Sequence, residues 1–242
     1  MKRLIKQKRG QFVIIAVLMI AMMIISIGAL MHRAVTYYKH EPWEEYLTLV
    51  GNIELNSRRL VELSLANYTH TLNQAILKTN LEKWQTDVLR IYLGREIALD
   101  YTLASGTNYN YSLGLTRDWN KKASFSAAEA SFSLNITSIG LTGYNFTAIA
   151  FLNLTIISVN TNTSEITVTV KGEDRIPIPA LKKDNFQVVE PTNITITSVT
   201  PRYDDKEILV YIIKCNGTIP ASVSVIMKVW DSRGIQVTAK YP

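Results

Sequence analysis

Residues 1–33 read MKRLIKQKRGQFVIIAVLMIAMMIISIGALMHR, a basic tail joined without a spacer to an apolar run. From Phe12 to Met31 no side chain carries a charge, and Ser26 is the only polar one. At about 1.5 Å per residue these positions make a helix about 30 Å long, the thickness of a bilayer's hydrocarbon core. A core helix of a soluble protein would show a polar face, and this run has none. A cleavable secretory signal has an apolar core of roughly 7 to 15 residues and a small-x-small exit. Here the core is longer and the exit, Gly28-Ala29-Leu30-Met31-His32-Arg33, lacks that site. The expectation is a retained transmembrane helix whose first partner is membrane lipid.

Charge sets its orientation. Lys2, Arg3, Lys6, Lys8 and Arg9 precede the span with no acid among them, whereas Arg33 and Lys39 beyond it are soon offset by Glu41, Glu44 and Glu45. The positive-inside rule places the first ten residues in the cytoplasm and the rest of the chain, beyond His32, outside. Five charges of the net +6 lie in that tail, so residues 11–242 carry about +1. The basic balance is therefore a topology signal and gives no support for a nucleic-acid partner.

Eight of the sixteen asparagines stand in N-x-Ser/Thr sequons: Asn67, Asn110, Asn135, Asn145, Asn153, Asn162, Asn193 and Asn216. About two or three would arise by chance at this Ser and Thr content, and all eight fall beyond the span. In Ser131-Phe132-Ser133-Leu134-Asn135-Ile136-Thr137 the asparagine shares the polar phase while Phe132, Leu134 and Ile136 share the other. Leu152-Asn153-Leu154-Thr155-Ile156 and Asn193-Ile194-Thr195-Ile196 repeat the pattern, so a glycan on Asn135, Asn153 or Asn193 is expected to face solvent. Cys215 is alone, which rules out an intrachain disulfide. It precedes Asn216-Gly217, a hairpin-turn dipeptide, and closes the apolar run Ile208–Ile213, the position of a structural thiol at a strand end. Many sequons without disulfides point to an archaeal surface glycoprotein rather than a eukaryotic receptor.

Lys8-Arg9-Gly10-Gln11 directly before the apolar block resembles the class III signal peptide of archaeal pilins and archaellins, members of the type IV pilin superfamily. The resemblance implies a prepilin-type peptidase that cuts between Gly10 and Gln11 on the cytoplasmic side and leaves the apolar helix in place. It covers about the first thirty residues. Many assembling pilins carry a glutamate a few residues into the mature helix; Phe12, Val13, Ile14 and Ile15 are apolar here, as in archaellins and some minor pilin-like proteins.

Beyond the membrane, Pro42 followed by Glu44 and Glu45 reads as a helix start. Trp43, Leu47, Val50, Leu60, Ser64, Tyr68, Leu72 and Ile76 recur at roughly helical spacing, with Gly51-Asn52 and Asn56-Ser57 as weak points: one long helix or a twice-interrupted one. Thr79-Asn80-Leu81-Glu82 has the capping-box pattern and opens a second amphipathic helix through Leu81, Trp84, Val88 and Tyr92, ending between Leu93 and Ala104. After a polar linker the period changes from 3.6 to 2 near Lys122, with strands expected at 124–137, 146–159, 165–171, 186–190, 193–199, 207–214, 222–230 and 235–240. Short strands separated by turn chemistry argue for an antiparallel sandwich. Val225–Val237 is similar to the closing hairpin of bacterial and archaeal immunoglobulin-like surface domains. Val168–Asp174 with Ile178-Pro179-Ala180-Leu181 and Asn185-Phe186 resembles an earlier strand and loop of the same modules.

The fold class expected is thus α+β: a cytoplasmic tail (1–10), a transmembrane helix with its juxtamembrane extension (11–40), extracytoplasmic helices (41–104), a polar linker (105–122) and an antiparallel immunoglobulin-like β-sandwich (123–242). Catalytic constellations are scarce. His32, His40 and His70 are the only histidines, and neither metal-ligand spacing nor a phosphate loop nor a nucleophile elbow occurs. Asp204-Asp205-Lys206-Glu207 lacks the alternating acids and glycine of a calcium loop and reads as a solvated turn. No enzyme, cofactor or metal is expected. Two readings remain open: a structural or adhesive pilin-like surface subunit whose partners are other pilin-like subunits, or a permanently anchored single-pass module that binds a surface protein, an S-layer component or a sugar.

Overall fold

The computed structural model describes residues 2–39, 43–106, 109–205, 207–220 and 223–242, with side chains described from Val13 to Arg33 and, within those ranges, from Tyr46 onward. Pro42, the side chains of Gln11, Glu44 and Glu45, linker residues Thr107 and Asn108, and Lys206 of the acidic turn lie outside the described residues, and the helix expected to start at Pro42 is described from Trp43. The chain is α+β, with three helices followed by ten strands among the described residues, and it forms two units, residues 1–52 and 53–242.

The first unit holds α1 (Lys2–Lys39) and the first turns of α2 (Trp43–Thr71). Within α1, Val13–Arg33 is long and apolar enough to cross a membrane, and none of it is buried against protein. Apolar surface left uncovered over such a length needs lipid or other apolar helices around it.

In the second unit, α2 runs on without the interruption that Asn56-Ser57 could have produced. Ser57 is fully buried; its hydroxyl donates to the Ile53 carbonyl (2.8 Å) and accepts the Trp84 indole N–H (2.9 Å) from α3 (Ile76–Ile91). Two turns on, Ser64 donates to Leu60 (2.7 Å) and accepts from Asn80 (2.9 Å). Two small hydroxyls seven residues apart thus let α3 come close while every polar atom is satisfied. α3 begins at Ile76, a turn before the Thr79–Glu82 box, because the Asn73 side chain accepts the Ala75 N–H (3.0 Å) and turns the chain there. Thr79 is already helical, donating its backbone N–H to Ala75.

The helices end earlier than residue 104. Ile97–Leu103 forms strand β1, its alternation of Ile97 and Leu99 inward with Ala98 and Asp100 outward being the period-2 pattern that the helical reading absorbed. Leu115–Asp118 within the linker forms β2. The remaining strands follow the expected ones closely: β3 (Ala123–Ile136), β4 (Leu141–Asn160), β5 (Glu165–Lys171), β6 (Phe186–Glu190), β7 (Thr195–Tyr203), β8 (Leu209–Asn216), β9 (Val225–Trp230) and β10 (Gln236–Tyr241). One sheet runs β1-β3-β4-β5-β8-β7, with β2 beside β3, and a second runs β10-β9-β6; every pairing is antiparallel. Asn216-Gly217 makes no tight hairpin, since the next strand, β9, belongs to the other sheet and starts eight residues later at Val225.

Strand β4 is 20 residues long and belongs to two neighbourhoods. Its first half pairs only with β3, and from Asn153 it pairs with β5 as well. The alanines Ala128, Ala130, Ala148 and Ala150 are fully buried on one face with Phe132, Leu134 and Leu152. Beside them α3 packs on β1, with Leu77 against Gly114 and Leu103. In the C-terminal half, β10 lies across β3 and β4, where Ser126 donates to the Gln236 carbonyl (2.9 Å). Tyr211 of β8 meets Phe186 of β6 at 5.6 Å between ring centres, joining the two sheets. Its phenol donates to the Ile178 carbonyl (2.6 Å) and accepts the Leu181 N–H (3.3 Å), which ties down the connection between β5 and β6.

The unit is knotted at Arg233 in the β9–β10 turn. Its guanidinium pairs with Asp231 (2.7 Å), Glu62 of α2 (3.3 Å) and Glu173 after β5, and it donates to the Phe151 carbonyl of β4 (3.2 Å). The Arg233 side chain is 21% exposed, and the hydrogen bonds and charges of Glu173 and Asp231 outweigh its burial and push its pKa up. Removing the cation strands three carboxylates at one partly buried point. Arg233→Ala is expected to lower stability by about 3 kcal/mol, measured by denaturant unfolding of the detergent-held chain, with Arg233→Lys recovering part of it.

Candidate functional site

A cleft of about 460 Å³ opens on the face of β3 and β4 that carries Phe125, Glu129, Thr147, Ile149 and Phe151. Its floor is an aromatic cluster. The Tyr109 ring stands edge-on to Phe125 (5.1 Å between centres) and to Tyr111 (6.0 Å), and Phe125 stacks on Phe151 at 5.8 Å. Tyr111 is buried; burial first, and then the charge and hydrogen bond of Glu129, push its phenol pKa up, so it stays a donor to that carboxylate at any ordinary pH.

One side is formed by Tyr109 and Tyr111, which stand between β1 and β2. The chain there closes through Gly114, whose N–H donates to Ala104 (3.0 Å) and whose carbonyl accepts from Glu129 (2.8 Å). Gly114 has φ +73, and a β-carbon there would lie 2.8 Å from the Glu129 carbonyl oxygen and 2.9 Å from Leu77. The Thr116 hydroxyl then donates to the Tyr109 carbonyl (2.7 Å) and holds that ring over the floor.

The opposite wall is the short 3-10 turn Glu173–Arg175. Glu173 accepts the Phe151 N–H (2.8 Å) as well as pairing with Arg233, so the knot of the fold also sets the cleft wall. Asp174 and Arg175 follow in the left-handed region (φ +54 and +59), exposed at the rim. Arg58 of α2 completes the lining; it is paired with Glu54 (2.8 Å), which in turn accepts from the Tyr144 phenol (2.9 Å). The hydrogen bonds from Arg58 and then Tyr144 hold the Glu54 carboxyl below its ordinary pKa.

The structure distributes the residues singled out from sequence elsewhere. Asn67, Asn110, Asn145, Asn162, Asn193 and Asn216 are exposed, while Asn135 and Asn153 are half-buried. Asn153 donates its amide to the Ser124 carbonyl (2.9 Å), and the Asn135 carbonyl oxygen accepts the Gly143 N–H (2.7 Å), so both amides are engaged within the sheet. Asp204 caps its own turn, accepting the Ile208 N–H (2.8 Å). Cys215 is half-buried at the end of β8, its thiol pKa pushed up to about 11 by burial. Among the described residues no three His, Cys, Asp or Glu side chains are grouped to hold a metal ion.

None of the cleft residues was singled out from sequence. Two signals were available: tyrosines at 109 and 111 inside an otherwise polar linker, and one acid, Glu129, in the middle of a strand of alanines and serines. Gly114→Ala is expected to cost about 2 kcal/mol or more through the left-handed backbone and the clash with Glu129. Thermal unfolding checks it, together with loss of the Tyr109–Phe125 contact in near-UV circular dichroism. The chain matches no protein-family model, no curated protein and no solved structure.

Proposed function

We propose that this chain is an archaeal cell-surface protein of the pilin-like kind, structural or adhesive, held by its N-terminal helix and exposing a glycosylated ectodomain. The observation that carries the reading is one juxtaposition: Lys8-Arg9-Gly10-Gln11 sits flush against an apolar run long enough to span a membrane, and all eight sequons lie beyond that run. On this reading a prepilin-type peptidase removes residues 1–10, the helix from Gln11 stays in the membrane or packs with other pilin-like subunits, and the rest faces outward, where S-layer components are within reach.

The strand order supports an immunoglobulin-like ectodomain. Constant-type immunoglobulin sandwiches set a four-strand ABED sheet against a three-strand CFG sheet. Here β4-β5-β8-β7 stands beside β10-β9-β6, which reproduces that order when β4 is taken as the first strand. The architecture carries no activity by itself.

A permanently anchored binding module is the second reading. It is favoured by the apolar Phe12–Ile15, where many assembling pilins place an acid, and by the cleft at Tyr109 and Phe151. The two readings part at Gly10. The mature protein is expected to begin at Gln11, and Gly10→Val to leave it unprocessed; N-terminal sequencing of protein from native membranes decides, and recovery of an intact Met1 terminus leaves only the anchored module.

Glycan occupancy is expected to follow the free amides rather than the strand phase alone. Asn193 and Asn145 should be modified and Asn153 largely bare, because its side-chain nitrogen is bonded to Ser124. Glycopeptide mass spectrometry of native material measures this, and a fully modified Asn153 beside a bare Asn193 would contradict it.

A further inference from the structure

We propose that the cleft between Tyr109, Phe151 and the Glu173–Arg175 turn binds a neutral oligosaccharide. The inference deepens the surface-protein reading and rests on it, since such a ligand would meet the cleft outside the cell. A sugar ring presents a face of C–H groups and a rim of hydroxyls, each able to donate and to accept. The cleft supplies counterparts to both. Half-buried Tyr109 and Phe151, with Ile149 at 47% exposure, offer an apolar platform. Around it Glu129 and Asp174 accept while Arg175 donates, so the rim serves hydroxyls in either role.

Charge argues against an ionic ligand. Arg58 is already paired with Glu54 and Glu173 with Arg233, Glu129 holds the Tyr111 phenol, and the formal charges of neighbouring Asp174 and Arg175 offset each other, so the lining presents no run of like charge to select an ion. The volume, about 460 Å³, falls in the range of small-ligand pockets and accommodates one or two sugar rings.

A second hollow of about 470 Å³ shares Thr147 with the cleft and is lined by residues of β1, β3 and β4, among them Asp100, Thr102, Ser131, Ser133 and Asn145 beside the aromatic Tyr101, Phe132 and Phe146. Hydroxyl-bearing residues next to an aromatic platform suit a linear chain of sugars. The shared chemistry has two sources: a foreign polysaccharide, or a glycan carried on Asn145 in that second hollow.

The test uses the full chain, made in a host without N-glycosylation and held in nanodiscs so that no sugar-headed detergent competes. It is titrated by calorimetry with cellobiose, maltose, mannobiose and chitobiose, and with a glucuronate-containing disaccharide. At least one neutral disaccharide is expected to bind, and Tyr109→Ala and Arg175→Ser each to weaken it by about tenfold or more. Arg175 is exposed, so its variant keeps the test independent of folding, which thermal unfolding verifies for both. No saturable binding, binding of the acidic sugar alone, or binding indifferent to both variants overturns the proposal. Native glycosylated chain then separates the sources. Uptake of free disaccharide identifies a foreign ligand, and uptake only after Asn145→Gln identifies the chain's own glycan; either result keeps the neutral-saccharide chemistry. Cleavage of the β1–β2 loop by protease added outside cells, without saccharide binding, overturns the cleft and leaves the surface reading standing. Protection from that protease overturns the surface reading itself.

Discussion

The guanidinium of Arg233 is the point on which the second unit depends. It sits in a four-residue turn, yet the groups it holds come from α2, from the edge of β4, from the turn after β5 and from its own hairpin. Such a cluster is costly to desolvate and stabilises only when its geometry is complete. Here the carboxylates of Asp231 and Glu173 are themselves anchored: Asp231 accepts the Arg233 and Ile235 N–H groups, and Glu173 accepts the Phe151 N–H. A planar five-donor cation can serve partners in several directions at once, which a lysine ammonium cannot do in the same plane.

The reach of β4 makes this knot necessary. A strand of 20 residues runs from a first part paired only with β3 into a part that also pairs with β5 and is crossed by β10. Its outer edge is free of a partner strand until Asn153, where β5 joins. An unpaired edge at a junction would leave backbone groups open. Glu173 and Arg233 satisfy the N–H and the carbonyl of Phe151 at that junction, and the same turn stands up as the wall of the cleft. Residues that stabilise the fold therefore also wall the cleft: Glu173 is held by the knot on one side, and on the other the chain closes at Gly114, whose backbone a side chain would not fit. Preorganisation of this kind lowers the ordering cost of binding a polar ligand.

Much of the strand pattern was legible because alternation is a local property. Ser131–Thr137 shows its buried and solvent phases without any knowledge of what lies opposite, and β5 and β6 fall on their expected residues. β1 was less legible, since Ile97–Leu103 follows directly on a helical stripe and its apolar spacing can be counted either way. The interruption weighed at Ser57 did not occur, because a buried hydroxyl that looks like a helix weakness in isolation becomes an asset once Trp84 donates to it.

The sequence by itself determined the apolar run, the charge asymmetry on its two sides, the sequons and the change of period from helix to strand, because each is written in neighbouring residues. Only the tertiary structure decided that Tyr109, Glu129, Phe151 and Arg175 share a cleft, and that Arg233 closes on Glu62 from 171 positions away. It also decided which asparagines stand free, since Asn135 and Asn153 occupy the polar phase as Asn193 does, yet their amides are taken up by Gly143 and Ser124. Phase along a strand is local, whereas a hydrogen-bond partner across the sheet depends on register, and register is set by packing between segments far apart in the chain.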